Sequence, residues 1–206
     1  MASRPTSSRC GRPGDCEKMS VEYTSRTGKH YYLLGKTTKA GNPGYFFSTK
    51  PDGQRVASIP AGYEIYENVN GQVFLRKKTA PVILPKELAL VESALQRHGE
   101  TWRFWMEARK TMIVVYMAGD MDGLDKLSME FRRRPMSDTE KLPRAHYTAM
   151  LRFTLIDKEA RIFVAERFCF RGSVDDWIPI GGPATLSTHV QTFVKHLGRE
   201  SFYNLF

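Results

Sequence analysis

The chain has 206 residues, 41% of them hydrophobic and 26% charged, a balance that is ordinary for a globular protein and excludes disorder throughout. At 23.6 kDa it can build one medium domain, or a small domain joined to a larger one. The formal net charge of +9 favours an anionic partner, although charge alone supplies only non-specific attraction. The longest apolar run, TMIVVYMA at 111–118, is far shorter than the ~20 residues needed to cross a bilayer.

The cysteines indicate a reducing compartment. Cys10, Cys16 and Cys169 are odd in number, and two of them lie near the N-terminus, so they make a poor disulfide framework. Cys10 and Cys16 also lack the further ligands that a zinc site requires. We therefore expect a cytoplasmic protein with no membrane segment, no metal and no cofactor.

The N-terminal part of the chain predicts a leader and a small β-module. Residues 1–27 offer few apolar side chains and are expected to form a disordered basic leader. Residues 28–78 combine short aromatic runs with turn sequences rich in Gly, Pro and Asn, which is typical of antiparallel strands. The clearest signal is Asn70-Gly71, because this dipeptide favours a type I′ hairpin turn.

The rest of the chain mixes helical and strand patterns. Residues 79–85 are predicted to form a linker, and residues 86–206 an α+β domain. The expected order is a helix that begins at Pro85, a hairpin over 101–118, a helix over 122–134, a hairpin that turns at 157–159, a loop over 172–183 and a final helix closed by Gly198. The loop contains Gly181-Gly182 but lacks the Lys-Ser/Thr pair of a phosphate-binding loop.

The final helix carries an apolar stripe formed by Leu186, Val190, Phe193, Val194 and Leu197. On the same helix, His189 and His196 are expected at the surface, and the C-terminal SFYNLF is expected to fold back onto the protein. These patterns together predict an α+β fold. In it, a small antiparallel β-module is followed by a larger domain whose antiparallel sheet packs against about three helices.

The stretch from Lys29 to Arg55 interleaves aromatic and basic side chains. It holds five basic residues and one acid, a local net charge of +4. Single-stranded nucleic acid is bound by cations that follow its phosphates and by rings that stack on its bases. Because neighbours alternate between the two faces of a strand, some of these rings must point away from the core of the module. The predicted nucleic-acid-binding residues are Lys29, Tyr31, Lys36, Lys39, Tyr45, Phe47 and Lys50.

This pattern predicts a non-catalytic binding protein that associates with single-stranded nucleic acid or another polyanion. Two alternatives stay open. A metal-dependent phosphoryl-transfer or nuclease-type enzyme could use Asp120 and Asp122, because carboxylates at the end of an apolar strand can hold magnesium. Asp122 is equally well explained as the residue that caps the following helix. The third possibility is a protein–protein adaptor without a small ligand.

Overall fold

The computed structural model describes residues 20–37, 41–98, 101–119, 129–131, 134–171 and 174–205. In these residues the fold is α+β, and all the strand pairs are antiparallel. Among them, no helix combines the length and the apolar character that crossing a bilayer requires.

The first sheet, here called the N-terminal sheet, contains β1 (Glu22–Thr24), β2 (His30–Thr37), β3 (Pro43–Ser48) and β4 (Gln54–Arg55). Strand β2 is central, with β3 on one side and β1 and β4 on the other. Strand β1 lies within the segment that we expected to be a disordered leader. The low apolar content of the segment does not reveal this strand, because its partner is the edge of β2, which lies further along the chain.

The hairpin predicted around Asn70-Gly71 is confirmed as β5 (Tyr63–Glu67) and β6 (Val73–Lys77). Its turn is not type I′, because Gly71 has φ +74° but no positive φ occurs at Asn70. The Gly71 N–H donates to the Asn68 carbonyl at 3.0 Å, which closes a type I turn followed by a glycine in the left-handed region. The Asn68 side-chain oxygen accepts from the backbone N–H groups of Asn70 and Gln72, both at 2.9 Å, and this selects the longer turn.

The second sheet, here called the central sheet, has the order β11-β10-β9-β8-β7. Its members are β7 (Phe104–Arg109), β8 (Met112–Ala118), β9 (Tyr147–Asp157), β10 (Ile162–Arg171) and β11 (Val174–Thr185). The two predicted hairpins, β7–β8 and β9–β10, are confirmed. Strand β11 occupies the segment predicted as a loop. Within the described residues, β11 pairs with β10 alone, and Pro179 and Pro183 are tolerated on such an edge strand.

Helices α1 (Pro85–Gln96), α2 (Asp138–Lys141) and α3 (Leu186–Phe193) accompany the central sheet, with 3₁₀ turns at Thr101–Arg103, Val194–His196 and Glu200–Phe202. The main core joins α1 and α3 to one face of that sheet, through residues that include Val91, Phe153 and Val190. Phe202 is fully buried in this core, as expected for a C-terminal segment that folds back. The helix predicted over 122–134 lies largely outside the described residues, although residues 129–131 are helical.

His189 corrects a prediction, because it is buried with 3% exposure and not at the surface. Its Nε2 lies 2.9 Å from the carbonyl oxygen of Phe163, which requires that this nitrogen carry the proton and donate. The ring also stacks between Phe153 and Phe193. Gly181 lies against the same rings: a β-carbon there would be 2.7 Å from Phe193. This glycine therefore allows α3 to approach β11 closely, and it does not form an anion-binding loop.

Candidate functional site

Strand register divides the rings of the N-terminal sheet between two faces. Leu34 pairs with Phe46, and Gly35 pairs with Tyr45, so consecutive residues alternate between the faces. On one face, Tyr45 lies edge-on to Tyr63 of β5, with ring centres 6.4 Å apart. We call this the inner face, because it is turned towards the β5–β6 hairpin. The opposite, outer face carries Tyr32 and Phe46.

The three aromatic residues chosen from the sequence, Tyr31, Tyr45 and Phe47, all belong to the inner face. The Tyr31 hydroxyl donates to the carbonyl of Gly71 at 3.4 Å, which ties β2 to the hairpin turn. All three side chains are half-buried. Alternation requires that some rings point outward, and the outward rings are their neighbours Tyr32 and Phe46.

The outer face brings cations onto those two rings. The Lys36 Nζ lies 5.4 Å from the centre of the Phe46 ring, and the Arg55 guanidinium carbon lies 5.1 Å from the centre of the Tyr32 ring. Phe46 is 39% exposed, and both cations are exposed. Within this face, each ring therefore has a positive group beside it, and the exposed Phe46 is open to a ligand, whereas Tyr32 is half-buried.

The connection between β3 and β4 crosses the same outer face. Leu34 of β2 pairs with both Phe46 of β3 and Arg55 of β4, so these two strands flank β2 on opposite sides. Gly53 lies directly over Leu34, since a β-carbon on Gly53 would be 3.3 Å from the Leu34 Cδ1. The crossing buries Leu34 to 2% exposure. The same connection contains the exposed Lys50.

The charges of this surface are available to a ligand. In the part of the chain that the structure describes, no ion pair is formed by Lys29, Lys36, Lys50 or Arg55. Lys29 is exposed at the start of β2, so along an extended strand it lies ~24 Å from Lys36. Lys39, the remaining predicted residue, lies outside the described residues.

A second surface feature is a cleft of about 330 Å³ between the β5–β6 turn and the face of the central sheet that is opposite α1 and α3. Val69 from the turn packs against Val114, Tyr116 and Tyr147 of the sheet. The Asn70 side chain fixes the turn there, since it accepts from the Tyr147 N–H at 2.8 Å and donates to the Tyr147 carbonyl at 3.2 Å. Arg109, Arg152, Phe168 and Trp177 complete the wall of the cleft.

The arginine and tyrosine side chains of this cleft interact with carboxylates and with aromatic rings. Glu107 accepts from the Tyr66 hydroxyl at 2.5 Å and from the Nε of Arg109 at 3.0 Å. Burial raises the pKa of Tyr116 to about 12, an effect that the nearby Arg109 opposes. On β9 and β10, Arg152 donates two hydrogen bonds to Glu166, which hold the pKa of that carboxyl below its usual value.

A third cluster of cations lies on the helical side of the protein. Arg97, His98, Lys195 and Arg199 line a cavity of about 350 Å³ near the ends of α1 and α3. Basic side chains at helix C-termini complement the negative end of the helix dipole. Arg97 follows α1 and Lys195 follows α3, so their charges are favourable at these helix ends, and among the described residues the cavity has no Phe, Tyr or Trp in its lining.

The sequence suggests acidic residues as ligands for a metal ion. Asp120 and Asp122 lie outside the described residues. Within the described ranges, no three His, Cys, Asp or Glu side chains are close enough to hold a metal ion. Asp175 and Asp176 lie on β11, where the Asp176 carboxylate accepts from the backbone N–H of Trp177 at 2.7 Å.

Sequence reasoning missed Tyr32, Phe46 and Arg55 on the outer face, and it missed the cleft. The alternation of residues in β2 and β3 contained a signal for the first set, but it gave two possible faces without identifying the inner one. The cleft had no local signal, because it combines residues from the β5–β6 turn and from five strands that are distant in sequence. Comparison with known proteins found no matching family model, no similar curated protein and no similar solved structure.

Proposed function

We propose that the protein is a non-catalytic binding protein that holds single-stranded nucleic acid on the outer face of the N-terminal sheet. The observation that carries the proposal is the pairing of Lys36 with Phe46 and of Arg55 with Tyr32 on one face of the sheet. Glu22 lies opposite Tyr32 on this face, but among the described residues it forms no ion pair with either cation. Rings supply stacking for bases of any sequence, and free cations supply attraction to phosphates.

The rings favour a single strand over a duplex. Bases in a duplex are already stacked on each other, so their flat faces are not free to meet Tyr32 or Phe46. The charge pattern also distinguishes this surface from the cleft, where Arg109 and Arg152 are already paired with carboxylates. A chain of phosphates therefore gains more from the free lysines and Arg55 of the outer face.

The test is fluorescence anisotropy with a labelled oligothymidylate of about ten nucleotides, measured across a salt series. The double substitution Lys36→Glu and Arg55→Glu should weaken binding. It should also reduce the slope of the logarithm of the binding constant against the logarithm of the salt concentration by about 1.4, the value expected when two single-strand phosphate contacts are lost. Lys86→Glu with Lys158→Glu is the matched control, because both lysines are exposed and lie outside this sheet. If both double substitutions weaken binding equally, only non-specific attraction between the basic protein and the oligonucleotide remains, and the outer face is not the binding site.

The role of the rings is tested separately by Phe46→Ala. Loss of one stacked base should cost about 1–3 kcal/mol of binding free energy. Phe74→Ala is the control, since Phe74 is also an exposed strand phenylalanine, at 46% exposure, but lies on the β5–β6 hairpin. If neither variant changes the affinity at low salt, base stacking on the outer face is excluded.

A further inference from the structure

Three arginines, Arg76, Arg109 and Arg152, share an arrangement that Arg26 and Arg161 also show. Each forms an ion pair with a carboxylate and places its guanidinium over an aromatic ring. The ion pairs are Arg76–Glu64 at 2.7 Å, Arg109–Glu107 at 3.0 Å and Arg152–Glu166 at 2.6 Å. The corresponding rings are Tyr66 at 4.3 Å, Tyr116 at 5.7 Å and Trp177 at 4.4 Å from the guanidinium carbon. A guanidinium held in this way has a fixed plane.

Two of these arginines, Arg109 and Arg152, line the cleft between the β5–β6 turn and the central sheet. Arg152 uses its Nε and Nη2 for Glu166, and Arg109 uses its Nε for Glu107 and its Nη2 for the Tyr66 hydroxyl. Among the described residues, no hydrogen bond is made by the Nη1 group of either arginine. Each therefore keeps an unused donor for a ligand.

Apart from Asn68 and Asn70 of the turn, the rest of the lining is apolar or aromatic. Met112, Val114 and Ala149 of the central sheet lie beside Val69 of the turn, and Phe168 meets the Trp177 ring edge-on at 5.3 Å. Flat, apolar walls with a few fixed polar groups are typical of small-molecule sites, which occur preferentially where structural units meet. A flat ring is the shape that stacks on a guanidinium plane and on such walls.

Charge and size restrict the ligand further. The two arginines and their paired carboxylates cancel, and Asp176 adds a negative charge near Glu166, so a ligand with many negative groups gains little here. One anionic group can still use a free Nη1 donor. The volume of about 330 Å³ is near the lower end of the range for ligand pockets, which is roughly 300–1,000 Å³. We propose that this cleft binds a small planar anion, namely a flat conjugated ring that bears one phosphate or carboxylate group. This site is separate from the nucleic-acid surface and does not depend on it.

Titration calorimetry with four probes tests the proposal. Adenosine monophosphate and 4-hydroxybenzoate each combine a flat ring with an anionic group, and they distinguish a nucleotide from an aromatic acid. Adenosine supplies a ring alone, and inorganic phosphate an anion alone. We expect saturable binding of at least one of the first two probes, at least tenfold tighter than that of either adenosine or inorganic phosphate. No saturable binding of the first two, or equal binding of adenosine, would overturn the proposal.

Amino-acid substitutions test whether the probe binds in the cleft. Arg152→Gln should lower the affinity for the probe at least tenfold, and Lys36→Glu with Arg55→Glu should leave that affinity unchanged. Because Arg152→Gln leaves Glu166 without its partner, the double variant Arg152→Gln, Glu166→Gln is measured as well, with urea unfolding to verify that both are folded. If only the Lys36→Glu, Arg55→Glu variant loses binding of the probe, the probe does not bind in the cleft and the proposal is wrong. Oligonucleotide affinity should not change in Arg152→Gln, so this proposal and the proposed function can fail separately.

Discussion

The guanidinium carbon of Arg26 lies 4.4 Å from the centre of the Trp105 ring and 5.5 Å from the centre of the Tyr147 ring. Arg26 follows β1, whereas the two rings belong to β7 and β9, so this contact joins the N-terminal sheet to the central sheet. The Nε and Nη1 of Arg26 are buried without a hydrogen-bond partner. Burial also lowers the pKa of this guanidinium, an effect that Glu67 opposes. The arginine is therefore held by the two ring faces and by an ion pair with Glu67, in which Nε lies 3.8 Å from Oε1.

Arg26→Met should change the free energy of unfolding by less than about 1 kcal/mol, because methionine keeps an apolar side chain between the rings and removes a charge that is expensive to bury. Arg26→Ala should cost about 1–2 kcal/mol, since it loses the packed stem as well. Urea unfolding measures both. If methionine costs as much as alanine, the positive charge and not the packing maintains the contact between the sheets.

Gly71→Ala should destabilise the protein by about 2–4 kcal/mol, the sum of a left-handed backbone and a steric clash. Gly71 has φ +74°, and a β-carbon there would lie 2.6 Å from the Cγ2 of Thr27. Gly28→Ala is the matched control: Gly28 has φ +78°, but nothing lies within 4 Å of the added carbon. It should cost only about 1–2 kcal/mol. Equal losses of stability would contradict the close contact between the hairpin turn and Thr27.

Gly181→Ala should lower the free energy of unfolding by about 1–3 kcal/mol, because the new methyl group would meet the rings of Phe193 and His189 at 2.7 and 3.0 Å. At the neighbouring Gly182, an added carbon meets nothing within 4 Å, so Gly182→Ala should change stability by less than about 0.5 kcal/mol. Thermal unfolding of the two variants distinguishes them. A result with Gly182 as the sensitive position would refute the packing of α3 against β11.

Glu166→Gln should change the acid limb of the stability curve. In the folded protein, hydrogen bonds from Arg152 hold the pKa of Glu166 below its ordinary 4.5. The stabilisation by the ionised carboxylate is therefore complete above about pH 4.5 and disappears as the pH falls through the lower folded-state pKa. The variant should lose about 1–2 kcal/mol at pH 7, because Arg152 loses its partner while staying partly solvated.

Below about pH 4.5, the Glu166→Gln variant should show a shallower loss of stability than the unmodified protein, since it has one fewer carboxylate to protonate. Urea unfolding at several pH values provides the comparison. Glu159→Gln is the control, as Glu159 is exposed and forms no ion pair among the described residues. If the two variants have the same pH profile, the Arg152–Glu166 pair makes no special contribution to acid stability.

Local patterns predicted much of the secondary structure. Helix α1 begins at Pro85 as expected, since proline is well suited to the first helical turn, and the β7–β8 hairpin bends at Lys110, which has φ +51°. Strand β11 was missed because its prolines are compatible with both a loop and an edge strand, and only the pairing with β10 distinguishes these. The burial of His189 was missed for a similar reason, since the carbonyl of Phe163 that receives its proton is distant in sequence.

For the candidate binding surface, too, some properties follow from local sequence and others only from the tertiary structure. The sequence by itself determined that cations and rings are concentrated between Lys29 and Arg55, and that neighbouring rings point to opposite faces, because both properties follow from composition and from the two-residue period of a strand. Only the tertiary structure decided which face is covered by the β5–β6 hairpin. It also created the cleft around Arg152, because a cavity formed by a turn and five strands depends on how they pack and leaves no trace in any one of them.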